Sequence, residues 1–117
     1  MTIAELTALT RAVDVTPDTD KSRPVTCGYA CDLLSWVMAH GQSGMAWITV
    51  QTHMNVIAVA ALMEMAAVIL PEGVHIEEAT LKKAIDEDIT VLESDLTAYE
   101  LCALLSAAGL PGHNRED

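Results

Sequence analysis

Two short segments carry the side chains best suited to chemistry, Cys27-Gly28-Tyr29-Ala30-Cys31-Asp32 and Gln51-Thr52-His53-Met54-Asn55. In the second, Gln51 and Asn55 each offer donors and acceptors, Thr52 a hydroxyl, and His53 an imidazole that is neutral or cationic near neutral pH. That set suits a small anionic metabolite or a nucleotide. Tyr29 and Asp32 add a phenol and a carboxylate from the first segment, so the candidate ligand-binding residues are Tyr29, Asp32, Gln51, Thr52, His53 and Asn55. The plainer reading is that both segments are turns entering helices, where polar caps are needed whatever is bound.

Other chemistries find less support. Cys27 and Cys31 have a spacing within the range of metal ligands, with His40, His53, Cys102 and His113 as further donors. A structural metal site supplies two closely spaced ligand pairs, however, and Cys102 sits mid-helix between Leu101 and Leu104, where a buried thiol is the ordinary reading. No metal and no cofactor is therefore expected. Nor is the spacing that of a C-x-x-C redox pair. His53 with Cys27 or Cys31 is a conceivable nucleophile and base, the basis of a third-ranked small cysteine/histidine enzyme. The phosphate loop G-x-x-x-x-G-K-[ST], the G-x-S-x-G elbow and G-x-G-x-x-G are all missing. No catalytic residue is assigned, and a non-enzyme is expected.

Composition narrows the partners. The 117 residues hold 17 acids against 6 Lys and Arg, for a formal charge of −11, and no Phe. Such a chain repels a phosphate backbone and has little with which to stack bases, so nucleic acid is excluded as a partner. The charges are also segregated: residues 33 to 63 hold no Asp, Glu, Lys or Arg, whereas eight acids fall between Glu72 and Asp95. The uncharged stretch is no membrane span, because Gln42-Ser43-Gly44 and the 51–55 segment interrupt it, and the run Val56 to Met63 is far below the roughly 20 residues a span needs. Met1-Thr2-Ile3-Ala4-Glu5 lacks the basic start and apolar stretch of a signal peptide, so a cytoplasmic location with three free thiols is expected.

Those segments need a scaffold, and the pattern of the chain supplies one. Thr2-x-x-Glu5 is a capping box opening a helix to about Val13. Pro24 to Cys27 reads as a short strand turned by Gly28, followed by a helix from Asp32 to Ala39 and an apolar strand from Met45 to Val50. A helix from about His53 to Met65 has Thr52 as its cap. Ala67 to Leu70 and Ile89 to Leu92 are strands, separated by a helix from Ile76 to Glu87 whose acids lie at its positive end and whose lysines come later. Thr97-x-x-Glu100 opens a last helix through Ala108. Near-continuous apolar strands separated by helices predict an α/β fold, a mostly parallel sheet of about four strands with helices on both faces. Residues 1–112 form a single domain and 113–117 a frayed tail.

The run Arg23-Pro24-Val25-Thr26-Cys27-Gly28-Tyr29-Ala30-Cys31-Asp32-Leu33-Leu34-Ser35, with Trp47-Ile48-Thr49-Val50-Gln51-Thr52-His53-Met54-Asn55-Val56, resembles the small stand-alone DRTGG-domain proteins, over nearly the whole chain. It departs from them where members show Gly-Gly-Tyr-x-Ser-Asp, having Cys27 and Cys31, and where they show Asp-Arg, having Ser22-Arg23. The resemblance implies a fold like the N-terminal domain of HPr serine kinase/phosphatase and a regulatory module that dimerises without catalysis of its own. The kinase half, with its phosphate loop, is missing. The leading expectation is a homodimeric regulatory or ligand-sensing module. The alternative the resemblance implies is an accessory subunit bound to a protein partner in a redox, hydrogenase-type complex. Apolar side chains beyond the needs of one small sheet, Trp36, Val37, Met45 and Trp47, also favour a dimer.

Overall fold

The computed structural model describes residues 1–114. Alternation of Ala, Val, Ile, Trp and Met with polar turns yields five strands: β1 (Val13–Asp14), β2 (Cys27–Ala30), β3 (Met45–Ile48), β4 (Ala67–Leu70) and β5 (Thr90–Glu93). Five helices connect and cover them: α1 (Ile3–Leu9), α2 (Leu34–His40), α3 (Met54–Leu62), α4 (Glu78–Asp86) and α5 (Ala98–Ala107). The sheet order is β1-β5-β4-β3-β2, with β2 through β5 parallel and β1 antiparallel to β5. The expected mostly parallel sheet covered on both faces is what forms.

Period-two alternation splits the core in two. Met45 and Trp47 of β3 with Val68 and Leu70 of β4 face α2, α3 and α4, where Val37, Val56, Ile57, Val59 and Ala84 meet them. Ala46 and Ile48 with Ala67 and Ile69 face α1 and α5, against Ile3, Leu6, Leu101 and Leu105. Every residue of β3 and β4 is buried, which is why both strands read as continuous apolar runs. Trp47 is fully buried; truncating it to Ala costs about 3–5 kcal/mol, transfer and cavity together.

Both capping boxes form, with Thr2 and Thr97 each accepting from the backbone of Glu5 and Glu100. Each of α1, α3, α4 and α5 leaves through a residue at positive φ, respectively Arg11, Glu64, Asp88 and Gly109. The same pair of bonds recurs at each exit, as in Glu64 N–H to Ala61 O and Met65 N–H to Ala60 O, a Schellman end. Only one of the four exits carries the glycine that sequence rules look for.

Several expectations need correcting. The strand placed at Pro24 to Cys27 begins at Cys27 and runs to Ala30, so Gly28 and Tyr29 are strand residues and no turn occurs at Gly28. Cys27 is not among the positive-φ residues, which removes any need for glycine there. The fifth strand, β1, is a two-residue pairing too short for a periodicity to register, and it takes up the end of the helix expected to reach Val13. Val37, Met45 and Trp47 are core and leave no surplus, whereas Trp36 is exposed. Met38 and Met54 are exposed as well, while Met45 and Met65 lie in the core. Cys102 lies on the exposed side of α5. In the expected tail, Asn114 is hydrogen-bonded to Gln42 and Ser43; residues 115–117 lie outside the described residues. Among the described residues no helix is long and apolar enough to cross a membrane.

Candidate functional site

The carboxyl ends of β2 and β3 lie side by side, so the two segments that follow them meet. Asp32 stands just ahead of α2, whose N-cap is Leu33. Its carboxylate crosses to the other segment: Oδ1 accepts the Thr49 hydroxyl at 2.8 Å and the Val50 N–H at 2.9 Å. The Gln51 side-chain amide donates to the Asp32 carbonyl at 3.1 Å, and the Gln51 N–H donates to Thr49 Oγ1 at 3.2 Å. His53 Nε2 donates to Gln51 Oε1 at 3.0 Å, which fixes the tautomer, since an amide oxygen only accepts. Behind this chain the buried Trp47 indole donates to the Cys31 carbonyl at 2.8 Å. The β3 core residue thus anchors the β2 loop.

The remaining side chains divide. Thr52 does not cap α3; its hydroxyl donates to Glu77 Oε1 at 3.4 Å, and the N-cap is His53, without a side-chain cap bond. α3 therefore starts without a side-chain cap, with the positive end of its dipole at this end. Tyr29 is not in the loop. It is half-buried on β2 against the α2 face, where burial pushes its phenol up and the neighbouring Cys31 adds to the effect. Asn55 turns away into a groove of about 290 Å³ between α2 and α3, lined by Leu34, Met38 and Leu62. Of the six expected residues the structure brings together Asp32, Gln51, Thr52 and His53.

Beside Asp32 lies a crevice of about 130 Å³ lined by Cys31, Thr49, Val50, Pro71 and Ala98. It is far below the 300 Å³ or more of a site that engulfs a ligand. The parallel strands follow one another in unbroken order, so no reversal of strand order splits the sheet to make the deeper crevice usual in doubly wound folds. The further rim is acidic. Glu93 Oε1 accepts from His75 Nδ1 and Oε2 from the Ile76 N–H, both at 2.9 Å. That hydrogen bond, then the charges of Glu93 and Asp95, raise the His75 imidazole above its ordinary value.

The nucleophile reading loses its geometry, because His53 is bonded to Gln51, and Cys31 Sγ points to the Leu33 carbonyl at 3.8 Å. Among the described residues no three of His, Cys, Asp and Glu come together to hold a metal ion. Sequence reasoning missed Thr49, the hinge of the chain of bonds; a polar residue closing the apolar run Ala46-Trp47-Ile48 was the available signal. It also missed His75 and Glu77, on the β4–α4 connection, and Glu93, at the end of β5, whose contacts depend on tertiary structure.

No family model matches the sequence, and no curated protein does. Among solved structures the chain is similar to the CBS and DRTGG domains of the regulatory region of Clostridium perfringens pyrophosphatase, complexed with its activator diadenosine tetraphosphate. The TM-score is 0.68 at 11% identity, covering 94% of this chain and 47% of that one, so the chain spans about half the length of that structure. At that identity the likeness is one of fold. The fold is DRTGG- or CBS-like.

Proposed function

We propose that this protein is a regulatory, ligand-sensing module of the DRTGG kind, without catalysis of its own, related in fold to the N-terminal domain of HPr serine kinase/phosphatase. The observation that carries it is the chain Asp32, Thr49, Gln51, His53, which ties two strand-to-helix loops into one polar rim. The nucleotide activator of the similar pyrophosphatase region supports a nucleotide as the ligand. Asp32 keeps Oδ2 for a sugar hydroxyl or an exocyclic amine, and the first turn of α3 with His53 suits a phosphate. The acids Glu77, Glu93 and Asp95 around the rim disfavour a bare anion, so the sugar or base contributes recognition as well as the phosphate.

The test is a titration of the labelled chain with AMP, ATP and diadenosine tetraphosphate, followed by amide shifts. Movement confined to residues 31–33 and 49–56, and lost in Asp32→Ala, supports the reading. No movement there with any of the three rejects it.

The module acts as a homodimer in a cytoplasmic setting, which suits its three thiols. Leu33, Trp36, Met38, Met54 and Leu62 are all at least half exposed, and Trp36 stacks on His40 at 4.2 Å. They belong to the charge-free stretch 33–63, the part of a −11 chain on which two copies can meet without opposing like charges. Light scattering that gives a 12.5 kDa particle at micromolar concentration rejects the dimer. A dimer that persists in Trp36→Glu with Leu62→Lys rejects this face. An accessory subunit uses the same face for another protein, and a monomer that co-purifies with a defined partner favours that alternative.

A further inference from the structure

The sheet has one open side. β1 closes the far edge with two residues, but among the described residues β2 pairs with β3 alone. Cys31 N–H points inward, to Ile48 O at 3.2 Å, and Gly28 N–H points outward, to Pro111 O at 2.9 Å. Alternation then sets the N–H and C=O of both Gly28 and Ala30 on the outer edge. An edge strand in this state is a template for another strand, and natural proteins cover it.

Here the cover is a four-residue strap, Pro111 to Asn114, beyond the end of α5. Its far end is held by Gln42, which donates to Asn114 O at 3.4 Å and accepts from Asn114 N–H at 2.7 Å, and by Asn114 Nδ2 donating to Ser43 O at 2.9 Å. All three bonds are exposed to solvent. Pro111 has no N–H, so it meets the edge with a single carbonyl and cannot extend a ladder. Under the strap, between β2 and α5, runs an apolar groove of about 280 Å³ lined by Ile48, Cys102, Leu105, Ser106 and Leu110. Gly28 forms its wall: a Cβ there would stand 3.2 Å from Leu105 Cδ1.

We infer that the β2 edge and the β2–α5 groove form a docking site for an extended segment of another protein, which adds as a strand beside Gly28 and Ala30 once the Pro111–Asn114 strap is displaced. The strap shows the contact in outline, since a backbone carbonyl, that of Pro111, already bonds the Gly28 N–H there. A groove of this volume falls below a small-molecule site and suits one or two side chains, which a strand delivers at alternate positions. Among the described residues none that is charged lines it, and the chain carries −11 overall. The incoming segment therefore has small or aliphatic residues at its centre and lysine or arginine at its flanks. This site is separate from the Asp32 rim and stands whether or not that rim binds a nucleotide.

The probe is a set of synthetic ten-residue peptides with alternating Val and Thr at the centre and Lys at both ends, with an acidic-flanked set as comparison. Binding to the full chain is followed by fluorescence anisotropy and by hydrogen exchange at the Gly28 and Ala30 amides. Gln42→Ala frees the strap and strengthens binding, by about tenfold if the closed strap dominates nine to one. Ala30→Pro removes an outward N–H without touching the β3 ladder and abolishes binding. Ser106→Trp fills the groove from α5, does the same, and serves if the proline variant fails to fold. Protection of both amides by the lysine-flanked peptides alone supports the site. Binding unchanged in Gln42→Ala, retained in Ser106→Trp, or undetectable with every peptide overturns it.

Discussion

The Thr49 hydroxyl and the Asp32 carboxylate, 2.8 Å apart, join loops that the sequence separates by seventeen positions. Thr49 is itself buried and Asp32 exposed, so the bond hangs a solvent-facing acid on a fixed post. Asp32→Ala removes two acceptor contacts at once. The cost in stability is about 1 kcal/mol, less than is usual for bonds to a charged group, because the carboxylate is solvated. Thermal unfolding should fall by only a few degrees, whereas the nucleotide-dependent shifts at 49–56 should vanish. A large loss of stability with binding intact would make the bond structural and nothing more.

The three cysteines should separate cleanly in reactivity. Cys27 is fully buried on β2, and burial raises its thiol, partly offset by hydrogen bonding with Thr26. Cys102 is exposed and Cys31 half-buried. At neutral pH, alkylation followed by mass spectrometry should modify Cys102 first, Cys31 next, and Cys27 only on a timescale set by opening of the fold. Cys27 reacting as fast as Cys102 would contradict the burial.

Much of this architecture was legible because its signals are local. Thr2 with Glu5 and Thr97 with Glu100 announce their helices, and the apolar runs 45–48 and 67–70 are strands buried on both faces. β2 was displaced by about three residues because Pro24 and Gly28 look like strand start and turn, whereas the fold uses Gly28 to let α5 approach. β1 was invisible, since two residues have no periodicity. At the rim, Gln51 and His53 were identifiable by type, but Tyr29 and Asn55 were included because residue type does not show direction. Strand alternation sends Tyr29 to the α2 face, and helix α3 sends Asn55 toward α2. The contacts between Asp32 and Thr49, or His75 and Glu93, join separate loops and follow only from strand order.

Segment 14–21, between the first helix and β2, is a clasp. Lys21 Nζ lies 3.1 Å from Asp14 Oδ2 and donates to Thr16 O at 2.7 Å, to Thr19 Oγ1, and to Thr90 Oγ1 at 3.3 Å. Thr16 Oγ1 accepts from Val91 N–H at 2.9 Å, so the clasp fastens the loop to β5. Lys21→Met keeps the stem but leaves Asp14 without its cation, and should lower stability by about 2 kcal/mol. Urea unfolding measures this, and a shift below a few tenths of a kcal/mol would show the lysine to be replaceable.

The His75 and Glu93 pair sets a pH dependence whose sign is fixed. The folded imidazole titrates above its unfolded value of about 6.5, because Glu93 accepts its proton. Its stabilising effect is complete below the unfolded value and is lost as pH rises through the raised folded value. Urea midpoints should therefore decline between pH 6 and 8, and His75→Gln should flatten that portion of the curve. A midpoint rising with pH across that window in the parent, and not in the variant, would reverse the assignment.

The helix exits yield the simplest stabilising change. Glu64 sits at φ 55 and Gly109 at φ 93, each just beyond a helix. A side chain in the left-handed region costs about 1–2 kcal/mol, which glycine avoids at the expense of some unfolded-state entropy. Glu64 is exposed, and among the described residues its side chain makes no hydrogen bond or ion pair. Glu64→Gly should raise stability by up to about 1 kcal/mol, and Gly109→Ala should lower it by about the same amount. The opposite signs are the diagnostic: one chemical swap, run in both directions at equivalent exits of α3 and α5, separates backbone strain from any effect of the Glu64 charge. Equal signs in the two urea curves would mean that the left-handed exits carry no strain.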